Sequence, residues 1–214
     1  MTGARHRTSG RFIAFEGGEG AGKSTQARLL ADALRARGLT VIVTREPGGT
    51  ARAEAIRSLL LAPPGEGWPP QAEALLFAAA RADHVAHLIR PARARGDWVI
   101  CDRFVDSSRA YQGGAGGLGD TAITALHAFG SDGLRPDLVI LLEGDEAALA
   151  GRLAARGAET DAIEGRPTEY HRAVATAFRA LAAADPQGFA RIEALGTPAD
   201  VHARILAALD DLLP

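Results

Sequence analysis

The stretch that decides the fold is Phe12–Thr25, FIAFEGGEGAGKST. Its opening run, Phe12 to Phe15, is short and apolar and reads as a buried strand; it breaks into glycines before an amphipathic helical pattern begins near Gly22. Gly17, Gly22, Lys23 and Ser24 fit the phosphate-loop spacing G-x-x-x-x-G-K-S. Phosphate chemistry explains those residue types. Glycines let backbone N–H groups converge on phosphate oxygens, the helix N-terminus favours their charge, lysine reaches the β- and γ-phosphates, and the serine hydroxyl ligates Mg2+. Among 24 lysines and arginines, Lys23 is the one lysine, which fits a position that requires a compact ammonium.

Outward from this stretch, the first helix is expected from Lys23 to about Arg37, with Leu30, Ala33 and Leu34 facing inward and Gly38 past its end. Thr40–Thr44, TVIVT, reads as the second strand. Strand, helix and strand at this spacing make a βαβ unit, so the sheet should be parallel and covered on both faces. Ligands of such sheets bind outside the carboxyl ends of the strands, where the turn Arg45-Glu46-Pro47-Gly48-Gly49-Thr50 falls. Trp98–Cys101 is the third strand and delivers Asp102 and Arg103 to the same edge, an acid suited to Mg2+ or its water and a fork for a second phosphate. Asp137–Leu142, ending in Glu143, and Phe189–Glu193 supply the fourth and fifth strands.

Helical patterns are expected over Ala51–Leu61, Gln71–Ile89, Thr121–Phe129, Glu146–Arg156, Thr168–Ala184 and Pro198–Leu212. Pro91 should end or kink the second of these, and a short helix from Phe104 should break at the glycine-rich Gln112–Gly119. Trp68 lies in a Pro- and Gly-rich loop and reads as a cover over local apolar surface. Gly157–Pro167 is polar and aperiodic, a loop able to close over a site. From spacing alone, Phe77 and Arg81 read as a core phenylalanine beside a snorkelling arginine. His84 and His87 read as ordinary helix residues, since no third ligand accompanies them.

The chain of 214 residues, 47% hydrophobic, can bury one full core, read as a single domain over 11–214 after a disordered tail over 1–10. A formal charge of −2 argues against coating a nucleic acid. The single Cys101 suits a reducing cytoplasm, and no apolar run approaches the ~18 residues that a membrane span needs. The sequence argues against an ordinary GTPase, because its Asn-Lys-x-Asp guanine turn needs an asparagine and a second lysine that this chain lacks.

The motifs together resemble the bacterial type of thymidylate kinase, a P-loop nucleoside monophosphate kinase family. The resemblance rests on FIAFEGGEGAGKST, TREPGGT at 44–50, LLFAAARADH at 75–84, CDRFVDSSRAYQGG at 101–114, PDLVILLE at 136–143 and RLAARG at 152–157. It implies an α/β three-layer sandwich around a five-stranded parallel sheet, the P-loop NTPase fold with a short lid near 157–167. It also implies transfer of the γ-phosphoryl group of ATP to dTMP with Mg2+, in a homodimer. By resemblance the ATP site comprises Gly17, Gly18, Glu19, Gly20, Ala21, Gly22, Lys23, Ser24 and Thr25, with Arg156 and Thr197 at the adenine, and Ser24 and Asp102 at the metal. The acceptor site comprises Glu19 on the sugar 3′-hydroxyl side, Arg45 and Arg103 on the phosphate, Pro47 in the wall, Phe77 stacked on thymine and Arg81 on its O4. Ser107, Ser108 and Gln112 lie near the base, and Tyr111 against the deoxyribose.

One departure bears on catalysis. Members with glycine at the position of Gly20 usually carry an arginine in an Asp-Arg-x-Glu lid turn, but here the turn reads Asp161-Ala162-Ile163-Glu164. An arginine on the transferring group is worth ~10³ in rate, so Arg166, or Arg152 or Arg156, is expected to take its place beside Lys23, Asp102 and Arg103.

Overall fold

The computed structural model describes residues 10–145, 149, 151–152 and 161–213. Strands β1 (Phe12–Gly17), β2 (Val41–Arg45), β3 (Trp98–Asp102), β4 (Leu138–Glu143) and β5 (Phe189–Glu193) form one parallel sheet in the order β2-β3-β1-β4-β5. The apolar run of β1 places it centrally, with all six residues buried. The helices are α1 (Lys23–Ala36), α2 (Ala51–Leu61), α3 (Pro70–His84), α4 (Arg90–Arg95), α5 (Val105–Ser108), α6 (Asp120–Ser131), α7 (Thr168–Ala184) and α8 (Pro198–Ala208).

Three layers result. On one face, Leu30 and Leu34 of α1 and Ile205 of α8 pack with Ile13, Phe15, Ile100 and Ile140 of the sheet. On the other, Phe12, Ala14, Val99 and Cys101 meet Val85, Ile89 and Phe104, while Tyr111 and Phe178 cover Val139 and Leu141. Phe104 is fully buried, and its ring stands edge-on to Phe12 at 4.9 Å and to His127 at 5.5 Å. The sheet register sets Phe15 opposite Asp102, and Asp102 opposite Arg45. The residues after three neighbouring strands therefore open onto one edge.

Several expectations require correction. Pro91 does not end its helix: the path continues through a π-helical stretch, Val85–Ile89, into α4 and stops at Gly96, φ 87°. Proline lacks an N–H and its ring clashes with the carbonyl four residues back. The wider turn just before it, closed by Arg90 N–H to the Val85 carbonyl, opens the backbone where that clash would fall. Gly113 and Gly114 likewise stay helical, within a second π-helical stretch, Arg109–Ala115. A Cβ on Gly114 would stand 2.8 Å from that of Ala177, so glycine there serves the close approach of α7. The terminal helix ends at Ala208, and a separate 3-10 turn spans Asp210–Leu212. Gly10 belongs to the domain, its N–H donating to the Arg93 carbonyl at 2.9 Å and its carbonyl accepting from Arg93 Nε at 3.0 Å. The rest of the expected tail, most of the expected helix 146–156 and residues 157–160 lie outside the described residues.

Trp68 is half-buried and donates from Nε1 to the Leu59 carbonyl at 2.8 Å. Among the described residues, no helix is long and apolar enough to cross a membrane. Replacing Phe104 removes a ring that three elements share. Phe104→Ala should cost about 3–5 kcal/mol in urea denaturation at neutral pH.

Candidate active site

The turn after β1 is shaped by neighbouring backbone. Gly17 has φ 134°, and a Cβ there would lie 2.4 Å from the Leu142 carbonyl oxygen; at Gly20, φ 73°, one would lie 2.3 Å from that of Leu149. Lys23 Nζ folds back to donate to the carbonyls of Gly17 (3.1 Å) and Gly18 (2.7 Å). The first turn of α1 contains no acidic residue, so its positive N-terminal end is left for an external anion. Beside it, Ser24 Oγ donates to Asp102 Oδ2 at 2.5 Å, joining the loop to the end of β3.

Arg103 follows Asp102 with φ 71°, a left-handed conformation rare for a non-glycine residue. That turn aims its guanidinium at the Gly17 carbonyl (3.2 Å), Ser107 Oγ (3.1 Å) and Glu19 Oε1 (2.5 Å). Glu19 also accepts from the Tyr111 hydroxyl at 3.0 Å. Burial pushes the Glu19 carboxyl up, but Arg103, Lys23 and the Tyr111 hydrogen bond outweigh it and hold the group at about 2. Burial also opposes charge on Arg103, but Glu19, Tyr111, Glu16 and Asp102 together outweigh it, so its pKa lies above the ordinary guanidinium range. Lys23 is pushed down, by burial first and then by the charge of Arg103.

The turn after β2 presents Arg45, whose Nη2 donates to both oxygens of Glu54 at 3.1 and 3.2 Å; Glu54 also accepts the Gly49 N–H at 3.0 Å. The Glu46–Pro47 peptide is cis. Glu46 turns inward and accepts from Arg81 Nε at 2.7 Å and lies 3.0 Å from His84 Nδ1, while His84 Nε2 meets Thr44 Oγ1 at 2.8 Å. Arg81 Nη2 donates to Ser108 Oγ at 2.9 Å and to the Phe104 carbonyl at 3.3 Å.

A cleft of about 600 Å3 gathers Glu19, Gly20, Gly22, Lys23, Ser24, Thr25, Arg45, Pro47, Phe77, Asp102, Arg103, Ser107, Ser108, Tyr111 and Gln112 from the sequence-based set. Lys23, Arg45 and Arg103, loop glycines and the largely buried ring of Phe77 thus border one cavity.

The family model described as thymidylate kinase matches residues 15–205. The chain belongs to the thymidylate kinase family. It is 58% identical over 206 residues to a thymidylate kinase of Rhizorhabdus wittichii, covering 96% of this chain and 99% of that one. A thymidylate kinase of Chromohalobacter salexigens is 50% identical over 207 residues, covering 96% and 98%. The crystal structure of the thymidylate kinase from Ehrlichia chaffeensis superposes with a TM-score of 0.77 at 31% identity, over 94% of this chain and 99% of that one. The five-stranded parallel sheet with helices on both faces is thus the P-loop fold of thymidylate kinases.

The remaining sequence-based residues fall elsewhere. Gly17, Gly18 and Ala21 form the back of the loop, outside the cleft lining. Arg81 is outside the cleft lining and donates to Glu46 and to Ser108, which does line it. Thr197 caps α8 by accepting the Asp200 N–H at 3.2 Å, and the adjoining Pro198 carbonyl accepts from Gln26 of α1 at 2.9 Å. Arg166 is not in the lining; it pairs with Glu73 and donates to the Tyr170 hydroxyl at 2.5 Å. Arg152 does line the cleft, and Arg156 lies outside the described residues.

Sequence reading passed over Arg57, which lines the thymidylate kinase cleft and donates to the Pro47 carbonyl at 2.8 Å. Its one signal is its place on the helix that begins at the TREPGGT turn, a place that exposed Arg52 shares. Glu16 was also missed. It is fully buried, accepts from the Phe104 N–H (2.8 Å), the Ser107 N–H (3.0 Å) and Ser107 Oγ (2.6 Å), and so ties β1 to the turn after Arg103.

Burial, and then the charge of Asp106, raise the Glu16 carboxyl from 4.5 to about 7 against the pull of Arg103 and those hydrogen bonds. The folded chain therefore holds the Glu16 proton more tightly than the unfolded chain. The resulting stability is complete below the unfolded value and is lost as pH rises through about 7. Relative to wild type, Glu16→Gln should gain about 3 kcal/mol between pH 4 and pH 8, read from urea denaturation across that range.

Proposed function

We propose that this chain transfers the γ-phosphoryl group of ATP to the 5′-phosphate of dTMP, yielding dTDP and ADP. The observation that carries the reading is the cleft that phosphate-loop residues, Phe77, Arg45, Arg57 and Arg103 line together. An acceptor phosphate oxygen attacks the γ-phosphorus, and the bond to the β,γ-bridging oxygen breaks, so that ADP leaves. Such transfer needs positioning and charge neutralisation more than covalent chemistry. The attacking phosphate is already anionic, so no strong general base is required.

In this reading the loop from Gly17 to Thr25 holds the triphosphate, and Lys23 exchanges its carbonyl partners for phosphate oxygens. Arg45, Arg57 and Arg103 hold the acceptor phosphate, Pro47 shapes the wall, and Phe77 stacks on thymine. Arg81 keeps Nε and Nη2 on protein partners, and its Nη1 reaches the base O4. Ser107 and Ser108 border the base, Glu19 meets the sugar 3′-hydroxyl, and Tyr111 disfavours a 2′-hydroxyl. Thr197 and Arg156 border the adenine.

The Ser24 hydroxyl and Asp102 carboxylate, 2.5 Å apart at the loop mouth, are oxygen donors of the kind Mg2+ takes alongside water and phosphates. When bound, Mg2+ neutralises charge on the β- and γ-phosphates. For the charge on the transferring group, Arg152 is better placed than Arg166, which Glu73 and Tyr170 engage. A homodimer formed through α3 and α6 fits the 92% exposure of Phe129 and 56% of Leu75 on those helices. A cytoplasmic location suits both substrates.

ADP release measured across dTMP, dUMP, dCMP, dGMP and AMP should be fastest with dTMP, and a purine preference would refute the assignment. Arg152→Ala should lower kcat by about 10²–10³-fold, whereas an unchanged kcat would remove Arg152 from the transfer. Phe129→Asp should convert a dimer to a monomer in sedimentation.

A further inference from the structure

Glu73 of α3 takes no part in the transfer, yet its buried carboxylate bridges two elements at the base end of the cleft. Oε1 accepts from Gln112 Nε2 at 2.9 Å, and Oε2 from Arg166. Arg166 also donates to the Tyr170 hydroxyl at 2.5 Å, with its guanidinium 4.7 Å from the centre of that ring. Tyr170 in turn donates to the Tyr111 carbonyl at 2.7 Å. The carboxylate is thus held between a cation anchored on α7 and the side-chain amide of a cleft residue.

An ionised carboxylate only accepts hydrogen bonds, so the NH2 end of the Gln112 amide must face Glu73. The carbonyl end then points away from Glu73, on a residue that lines the cleft. We propose that Glu73 is a positioning residue for acceptor specificity: it fixes the Gln112 amide with its carbonyl toward the base, and Arg166 anchors it. A pyrimidine bearing an N3–H, thymine or uracil, donates to that oxygen. Cytosine presents a lone pair at N3 and is repelled. This rests on the reading of the cleft as a dTMP site and assigns Arg166 to the acceptor side, away from the transferring phosphate.

The test is steady-state kinetics of the full chain with dTMP and dCMP at saturating ATP. Glu73→Gln allows the Gln112 amide to turn either way, and the dTMP/dCMP ratio of kcat/KM should fall about tenfold while the KM for ATP stays unchanged. Arg166→Leu should shift the ratio in the same direction by a smaller factor. In a Gln112→Ala background, Glu73→Gln should change the ratio no further, a non-additivity that a merely structural role would not produce. An unchanged ratio in a folded Glu73→Gln chain overturns the proposal, as does a full additional effect in the Gln112→Ala background. Should Glu73→Gln fail to fold, Arg166→Leu decides: a lower ratio supports the role and an unchanged one overturns it. A wild-type chain that fails to phosphorylate dTMP overturns the acceptor assignment itself, an outcome distinct from a failure of the ratio test.

Discussion

Lys23 and Arg103 both donate to the carbonyl oxygen of Gly17, so a buried and a part-buried cation stand within reach of one acceptor. At such separations unit charges repel by a few kcal/mol at an effective dielectric of about 20. The fold tolerates this because Glu19 lies against Arg103 and carbonyls cradle Lys23. Both residues line the cleft, so the remaining positive potential faces it. Sheet topology creates the arrangement: the central strand delivers the lysine, its neighbour β3 delivers the arginine, and their parallel register brings both to one edge.

The sheet was legible because a strand covered on both faces must be apolar throughout, and FIAF, VIC and LVILL are such runs. The phosphate loop was legible because its chemistry dictates residue type and spacing together. Contacts between distant segments leave no such trace. Glu16, Glu73 and Arg57 acquire roles from partners on other elements, and nothing in their own neighbourhoods distinguishes them from surface charges. Arg81 is the instructive case. Spacing alone made it a core residue and family likeness a base reader; the structure buries it on Glu46 with Nη2 on Ser108, which lines the cleft.

Three backbone irregularities adjoin the sheet: the π-helical stretches at Val85–Ile89 and Arg109–Ala115, which pack against it, and the left-handed Arg103, which follows β3. Each breaks a local preference that regular geometry would have kept. The second stretch carries Tyr111 and Gln112 into the cleft while keeping Ala110 in the core, and the left-handed turn sends a guanidinium back over the loop it must serve. Local rules fail here because side-chain direction, and not helix stability, decides what the site requires.

The altered lid turn is best understood through its aspartate. Asp161 Oδ1 accepts the N–H groups of Ile163 (2.8 Å) and Glu164 (2.9 Å), a bond pattern independent of the side chain at 162. The Ala162 N–H donates to the Leu61 carbonyl at 3.2 Å, which ties the turn to the end of α2 beside the cleft that Asp161, Ile163 and Glu164 line. What changes is the distribution of positive charge around that turn. Arg152 lines the cleft, and Arg166, four residues beyond Ala162, is paired with Glu73. Arg152 and Arg166 thus flank an acidic turn in the chain, the first lining the cleft and the second held by Glu73 and Tyr170, so neither takes the place of a side chain at the tip of the turn itself.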